Sequence, residues 1–136
     1  MKRHAALLQL SREHHAALVL TQRIAKAGDA AAISGLMDRV QAIFRQELEP
    51  HFRREEAFLL PRLETAGEAV LVHRTLAEHR ELRDLASRIG EGDTSCLKPF
   101  GVALNRHVRF EERELFVTAE AVLPAEGLDE LAQDAG

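Results

Sequence analysis

The chain has no tryptophan, no tyrosine and a single cysteine, Cys96. One thiol cannot form an internal disulfide, so nothing staples the fold covalently and a reducing compartment suits it. Six phenylalanines are the only aromatics. The core must therefore come mainly from Leu, Ala, Val and Ile, which suits helix against helix. No apolar run approaches the ~20 residues that a membrane-spanning helix needs. No long run of one charge occurs either: 18 Lys+Arg face 22 Asp+Glu, a formal net charge of −4, with both signs interspersed. That excludes the basic footprint of a nucleic-acid binder. The first ten residues carry two basic and several apolar side chains, but Ser11-Arg12-Glu13 turns polar too soon for a secretory signal. The expectation is a soluble, cytoplasmic protein. It forms one domain over residues 1–136, large enough to bury a real core.

What is present is a motif that occurs twice. One copy is His51-Phe-Arg-Arg-Glu55-Glu56-Ala-Phe-Leu59, the other His107-Val-Arg-Phe-Glu111-Glu112-Arg-Glu-Leu115. Residues four apart share one face of an α-helix, so each His-Glu pair points the same way. An imidazole and a carboxylate on one helical face are half of a metal site. A smaller pair also repeats, Glu13-His14 and Glu78-His79.

Apolar residues with helical period place these motifs on four rods, and no alternation marks a strand. The first helix spans about residues 3–26, with Leu7, Leu10, His14, Ala17, Leu18, Thr21, Ile24 and Ala25 on one face. The second begins between Asp29 and Ser34 and carries Ile33, Leu36, Val40, Ile43, Phe44, Leu48, His51, Phe52, Glu55, Phe58 and Leu59. Pro50 lies inside it and should bend it one turn before the motif. The third runs from about Glu68 to Ile89, with Val72, Leu76, His79 and Leu82 inward. The fourth follows a cap at Asp93, Thr94 or Ser95, holds Pro99 in its first turn and runs to about Val122, presenting Phe100, Leu104, His107, Glu111 and Leu115. Pro124 ends it, and the acidic tail from Ala125 to Gly136 reads as one short, fraying helix. The fold class is all-α, an antiparallel up-down-up-down four-helix bundle with a core over about residues 3–122.

Spacing supports one common level. His51 to His79 and His79 to His107 are each 28 residues, centred at or near the expected turns; His14 to His51 is 37. The excess must enter the first connection or an overhanging start of the second helix. His14, His51, His79 and His107 with Glu55 and Glu111 then offer four imidazoles and two carboxylates. Two metal ions could share these six, with Glu55 and Glu111 as bridges. Nitrogen with carboxylate suits iron and manganese, and also zinc. A single His-Glu pair at this spacing is more often a surface ion pair. Two copies facing one interior, at matched distance from His79, reverse that judgement, because several polar groups at one core level need a partner that satisfies them all. His15 is the alternative to His14, at the edge of the apolar face. Glu56 and Glu112 read as exposed or as partners of the inner groups, Glu13 and Glu78 as seam residues, and Arg53, Arg54, Arg109 and Arg113 as a solvated, ion-paired face. His4 and His73 read as solvated, and Cys96 as a small core residue rather than a redox switch.

The order His, His-x-x-x-Glu-Glu, Glu-His, His-x-x-x-Glu-Glu on four helices resembles the hemerythrin-like (HHE cation-binding) domain family over about residues 3–120. The resemblance implies an antiparallel four-helix bundle with a non-haem centre of two iron ions, Fe2+ or Fe3+, bridged by oxo or hydroxo. It implies His14, His51, Glu55, His79, His107 and Glu111 as metal ligands. Members bind or sense dioxygen, nitric oxide, peroxide or iron. Two departures stand out. Oxygen carriers have a second histidine four residues before His79, where this chain has Thr75. Their last carboxylate falls five after its histidine, at Glu112, whereas Glu111 has the better helical geometry here. The missing imidazole argues against reversible oxygen carriage and for sensing, redox reaction or iron binding.

The function expected is therefore metal binding with a small diatomic or peroxide ligand, rather than catalysis. A di-iron oxidase or peroxidase and a structural bundle stabilised by zinc are the alternatives. Neither nucleic acid nor membrane is expected as a partner, while a separate protein chain or a homodimer is compatible.

Overall fold

The computed structural model describes residues 3–135, and the side chains of residues 3–130. Its helical rods are α1 (Ala5–Lys26), α2 (residues 30–65), α3 (Ala69–Gly90), α4 (residues 97–122) and α5 (Ala125–Ala135). Pairings across the seams run in opposite directions. Glu56 meets His79 where α2 faces α3, while Gln41 reaches Ala86. Arg74 meets Glu114 and Arg106 meets Glu81 between α3 and α4. Ser11 meets Glu112 and Thr21 meets Asn105 between α1 and α4. α1 through α4 thus form the antiparallel bundle that the periodicity predicts.

Local chemistry sets the boundaries. Asp29 caps α2, its carboxylate accepting from the Ala32 amide at 2.7 Å. α2 and α3 both end on a glycine in the left-handed region, Gly67 and Gly92, each with φ of 93°. In each turn the amide one residue later reaches back five residues, Glu68 to the Leu63 carbonyl and Asp93 to that of Arg88. This closure satisfies carbonyls that a helix end otherwise leaves orphaned. Lys98 serves the end of α1 differently, donating from α4 to the carbonyls of Ile24, Ala25 and Ala27.

The bend expected at Pro50 takes a specific form. Pro50 and Pro61 each lie just past a turn in which α2 widens to π, over Phe44–Leu48 and Glu55–Leu59. A widened turn moves aside the carbonyl that a proline ring would strike and asks for no donor at the proline. α4 has a third π turn, Glu111–Leu115, with no proline after it. The second and third begin on Glu55 and Glu111. Each inserts a residue and shifts the inward face, so that Leu59 and Leu60, and likewise Leu115 and Phe116, are both buried.

The core comes in two apolar halves. One contains Leu20, Ile24, Val40, Phe52, Leu82, Phe100 and Leu104; the other contains Leu7, Leu10, Leu59, Leu63, Val72, Leu115 and Phe116. His14, His51, Glu55, His79, His107 and Glu111 are buried together with these residues. Some expected inner positions moved: Ala25 is exposed, Leu18 and Leu76 are half-buried, and Leu20 and Thr75 are buried instead. The excess length before His51 lies in the first turns of α2, which pack beside the α3–α4 turn through Gln41. The acidic tail is held over its described part. Leu128 is buried in the second half-core and Asp129 pairs with His4 at 2.9 Å. Gly136 lies outside the described residues. Among the described residues no helix is long and apolar enough to cross a membrane.

α1 and α4 approach closely at Gly101, where an added Cβ would stand 2.8 Å from Ile24 Cγ2. Ile24 is β-branched and buried, so it has little room to give. Gly101→Val should lower stability by about 1–3 kcal/mol in urea unfolding, the range for overpacking a tight core.

Candidate metal centre

Each helix of the bundle brings its part of the site from mid-length. His51 and Glu55 lie one turn apart on α2, and His107 and Glu111 one turn apart on α4. His14 and His79 come from α1 and α3. All four imidazoles aim Nε2 inward. His14 Nε2 is 2.8 Å from Glu111 Oε1 and 3.2 Å from His51 Nε2. His51 Nε2 is 3.1 Å from Glu55 Oε2, and His79 Nε2 is 3.1 Å from Glu55 Oε1. His107 Nε2 is 3.1 Å from Glu111 Oε2. The six fall into two quartets that share both carboxylates: His14, His51, Glu55 and Glu111, and Glu55, His79, His107 and Glu111. Within a quartet the donor atoms lie within 4.8 Å of one another.

Burial makes this arrangement costly for the chain alone. Glu55 and Glu111 have no solvent exposure. Both oxygens of Glu55, Oε2 of Glu111, and Nε2 of His79 and His107 are buried without a well-directed hydrogen bond. Buried carboxylates in that condition need a positive partner. A nitrogen-and-carboxylate donor set converging on one point fits a cation, and the orphaned atoms are the ones a cation would satisfy.

A second ring of carboxylates surrounds the first, and it runs round the bundle like a pinwheel. Glu13 of α1 faces His51 Nδ1 of α2 at 2.8 Å; Glu56 of α2 faces His79 Nδ1 of α3 at 2.7 Å. Glu78 of α3 faces His107 Nδ1 of α4 at 2.7 Å, and Glu112 of α4 faces His14 Nδ1 of α1 at 2.9 Å. A carboxylate accepts only, so each Nδ1 carries the proton, leaving Nε2 as the atom that turns to a metal. Behind the ring stand arginines: Arg54 on Glu13, Arg83 on Glu56, Arg74 on Glu78 and Arg3 on Glu112.

The model of the hemerythrin HHE cation-binding domain matches residues 5–119. The chain belongs to that family. No curated protein and no solved structure gives a match to the chain.

The structure places all six marked residues of this hemerythrin-family chain in one layer. His15 and His73 are exposed, and His4 caps α1 by accepting from the Ala6 amide at 3.1 Å. Glu112 stands outside the layer and Glu111 inside. Thr75 is fully buried, with its hydroxyl donating to the Leu71 carbonyl at 2.7 Å. Burial and the neighbouring Asp93 push the Cys96 thiol up, away from a reactive thiolate. Sequence reasoning missed which carboxylate serves which histidine, and it missed Arg3 and Arg74 entirely. The available signal was that each outer glutamate is the chain neighbour of an inner residue. Neighbours on a helix diverge by about 100°, so such a glutamate must serve another helix.

Without a cation, protons take its place. Burial alone would lower the histidine pKa values, but the carboxylates outweigh it. Glu111, Glu55 and Glu56 push His79 up to about 11. The charge and hydrogen bond of Glu111, with Glu78 behind, push His107 up to about 9. Both lie above the ordinary 6.5, so their contribution to stability is complete below pH 6.5 and disappears as pH climbs through about 9 and then about 11. Metal-stripped protein should therefore lose stability on going from about pH 6 to about pH 10. Metal-loaded protein, whose imidazoles are neutral, should not show that loss. Urea midpoints of both forms at each pH measure it, and parallel curves would contradict it.

Proposed function

We propose that this chain is a non-haem di-iron domain that binds or senses a small molecule, with His14, His51, Glu55, His79, His107 and Glu111 as its metal ligands. The observation that carries the reading is the pair of quartets sharing Glu55 and Glu111. Two positions joined through two carboxylates suit two ions, which the carboxylates would bridge. Iron fits the donor set, with manganese or zinc as the substitutes the same chemistry allows.

Bound iron would supply a redox-active Lewis acid. The chain's own residues do the rest. Glu55 and Glu111 balance positive charge in a layer closed to solvent. Glu13, Glu56, Glu78 and Glu112 hold the imidazoles in the orientation and tautomer that frees Nε2. The two apolar halves of the core exclude bulk water, so what reaches the layer must be small: dioxygen, nitric oxide or a peroxide. Thr75, where an oxygen carrier has a further imidazole, leaves one ligand fewer on the α3 side. That favours sensing or a redox step over reversible carriage.

Protein purified in air should contain about two irons per chain and show the near-ultraviolet absorption of a coupled ferric pair. His107→Ala and Glu55→Ala should lose metal, and His4→Ala, at the cap of α1, should keep it. Zinc alone, with no such absorption after iron reconstitution, would favour the purely structural role. Repeated peroxide consumption by the reduced protein with excess reductant would instead make it an enzyme.

A further inference from the structure

The inner six side chains repeat with twofold regularity, but the bracing of the histidines does not. Three imidazoles sit in closed brackets of carboxylate, phenylalanine and arginine. Phe52 stacks on His79 at 4.0 Å, and Arg83 both donates to Glu56 and lies 5.7 Å over Phe52. Phe110 lies 6.4 Å from His107, and Arg74 both donates to Glu78 and lies 3.9 Å over Phe110. Phe116 is parallel to His14 at 5.5 Å, and Arg3 both donates to Glu112 and lies 5.5 Å over Phe116. Each bracket adds a cation–ring attraction to a charged hydrogen bond.

His51 is the exception. Glu13 and Arg54 stand behind it, and its ring meets Phe52 edge-on at 6.1 Å and His14 at 4.9 Å, but Arg54 lies over no ring among the described residues. Arginine-over-ring brackets thus stand behind both histidines of one quartet, but behind only His14 in the other.

We propose that the two metal positions differ in hold. The His79–His107 quartet keeps its iron, and the His14–His51 quartet exchanges ferrous iron with solvent more readily. His51 is the side chain that gives way, and Glu13–Arg54 is its latch. This rests on the two-ion reading above.

The test adds a ferrous chelator to the reduced, iron-loaded full chain and follows iron release with time. Two phases of equal amplitude are expected. Arg54→Ala should speed the early phase by on the order of tenfold, within the range that outer partners of metal-bound histidines command, and leave the late phase unchanged. Arg54→Lys should restore the slow early phase, and Arg83→Ala should speed the late phase only. Release in one phase, or an equal effect of Arg54→Ala on both, would overturn the proposal. An initial load below two ions would defeat the two-ion reading separately. The inequality is then decided by single variants: His51→Ala retaining iron while His79→Ala loses it supports it, and the reverse refutes it.

Discussion

Two carboxylates with no contact to solvent set the conditions for everything around them. Glu55 and Glu111 could not stay ionised in an apolar core without compensation. The chain answers with shells of alternating charge: the two inner carboxylates, then imidazoles and the cation they would hold, then Glu13, Glu56, Glu78 and Glu112, then arginines. Exposure rises outward on three of the four paths. The inner carboxylates have none, Glu13, Glu56 and Glu78 expose 18–25% of their side chains and their arginines 30–43%, while Arg3 at 23% is less exposed than Glu112 at 32%. No shell leaves net charge stranded at depth, and the last one reaches water. A layer of this kind is poor evidence for stability, since an apolar layer of equal volume would serve packing as well. Its presence argues for a task.

The helices are shaped to deliver that layer. A uniform helix keeps one face inward, and after a His-Glu pair the next inward positions follow the same period. At Glu55 and Glu111 the helix widens instead. The ligating face is turned to the layer on one side of the π turn, and adjacent residues are both buried just beyond it, Leu59 with Leu60 and Leu115 with Phe116. π turns recur at functional sites because the inserted residue re-aims side chains without ending the helix. In α2 the prolines that follow fit the widened turns; α4 makes its own without one.

How much of this could be read from the sequence depended on whether the relevant rule was local. The four rods, their Gly and Asp boundaries and the six inner residues follow from a 3.6-residue period and from the repeated motif, and all of these were legible. Leu60 and Phe116 were not, because a constant period carried past Glu55 or Glu111 falls out of phase at a π turn. Ala25 was placed inward by the period of α1 but lies exposed, where Lys98 closes the carbonyls at the end of that helix. The partner of each outer glutamate was hidden for a different reason. Glu13 is adjacent to His14 yet serves His51, and only the rotation of neighbouring helices decides that. Arg3 and Arg74 act through Glu112 and Glu78 and through rings that the periodicity left unassigned.

Symmetry separates what the two halves of the chain share from what distinguishes them. Inside the layer the halves are equivalent: one histidine from each helix, one carboxylate from each of α2 and α4, one outer glutamate for every imidazole. Outside it the equivalence fails at named positions. Thr75 on α3 faces inward one turn before His79, whereas Leu10 of α1 stands one turn before His14. Phe52 touches His79 and His107 together, at 4.0 and 5.6 Å, and no single ring does the same for His14 and His51 among the described residues. α5 packs against α1, with Leu128 buried in the half-core that holds Leu7 and Leu59. Two chemically identical quartets in unequal surroundings would hold a cation with unequal strength. Such a difference would follow from packing alone, without any change in the groups that face the layer.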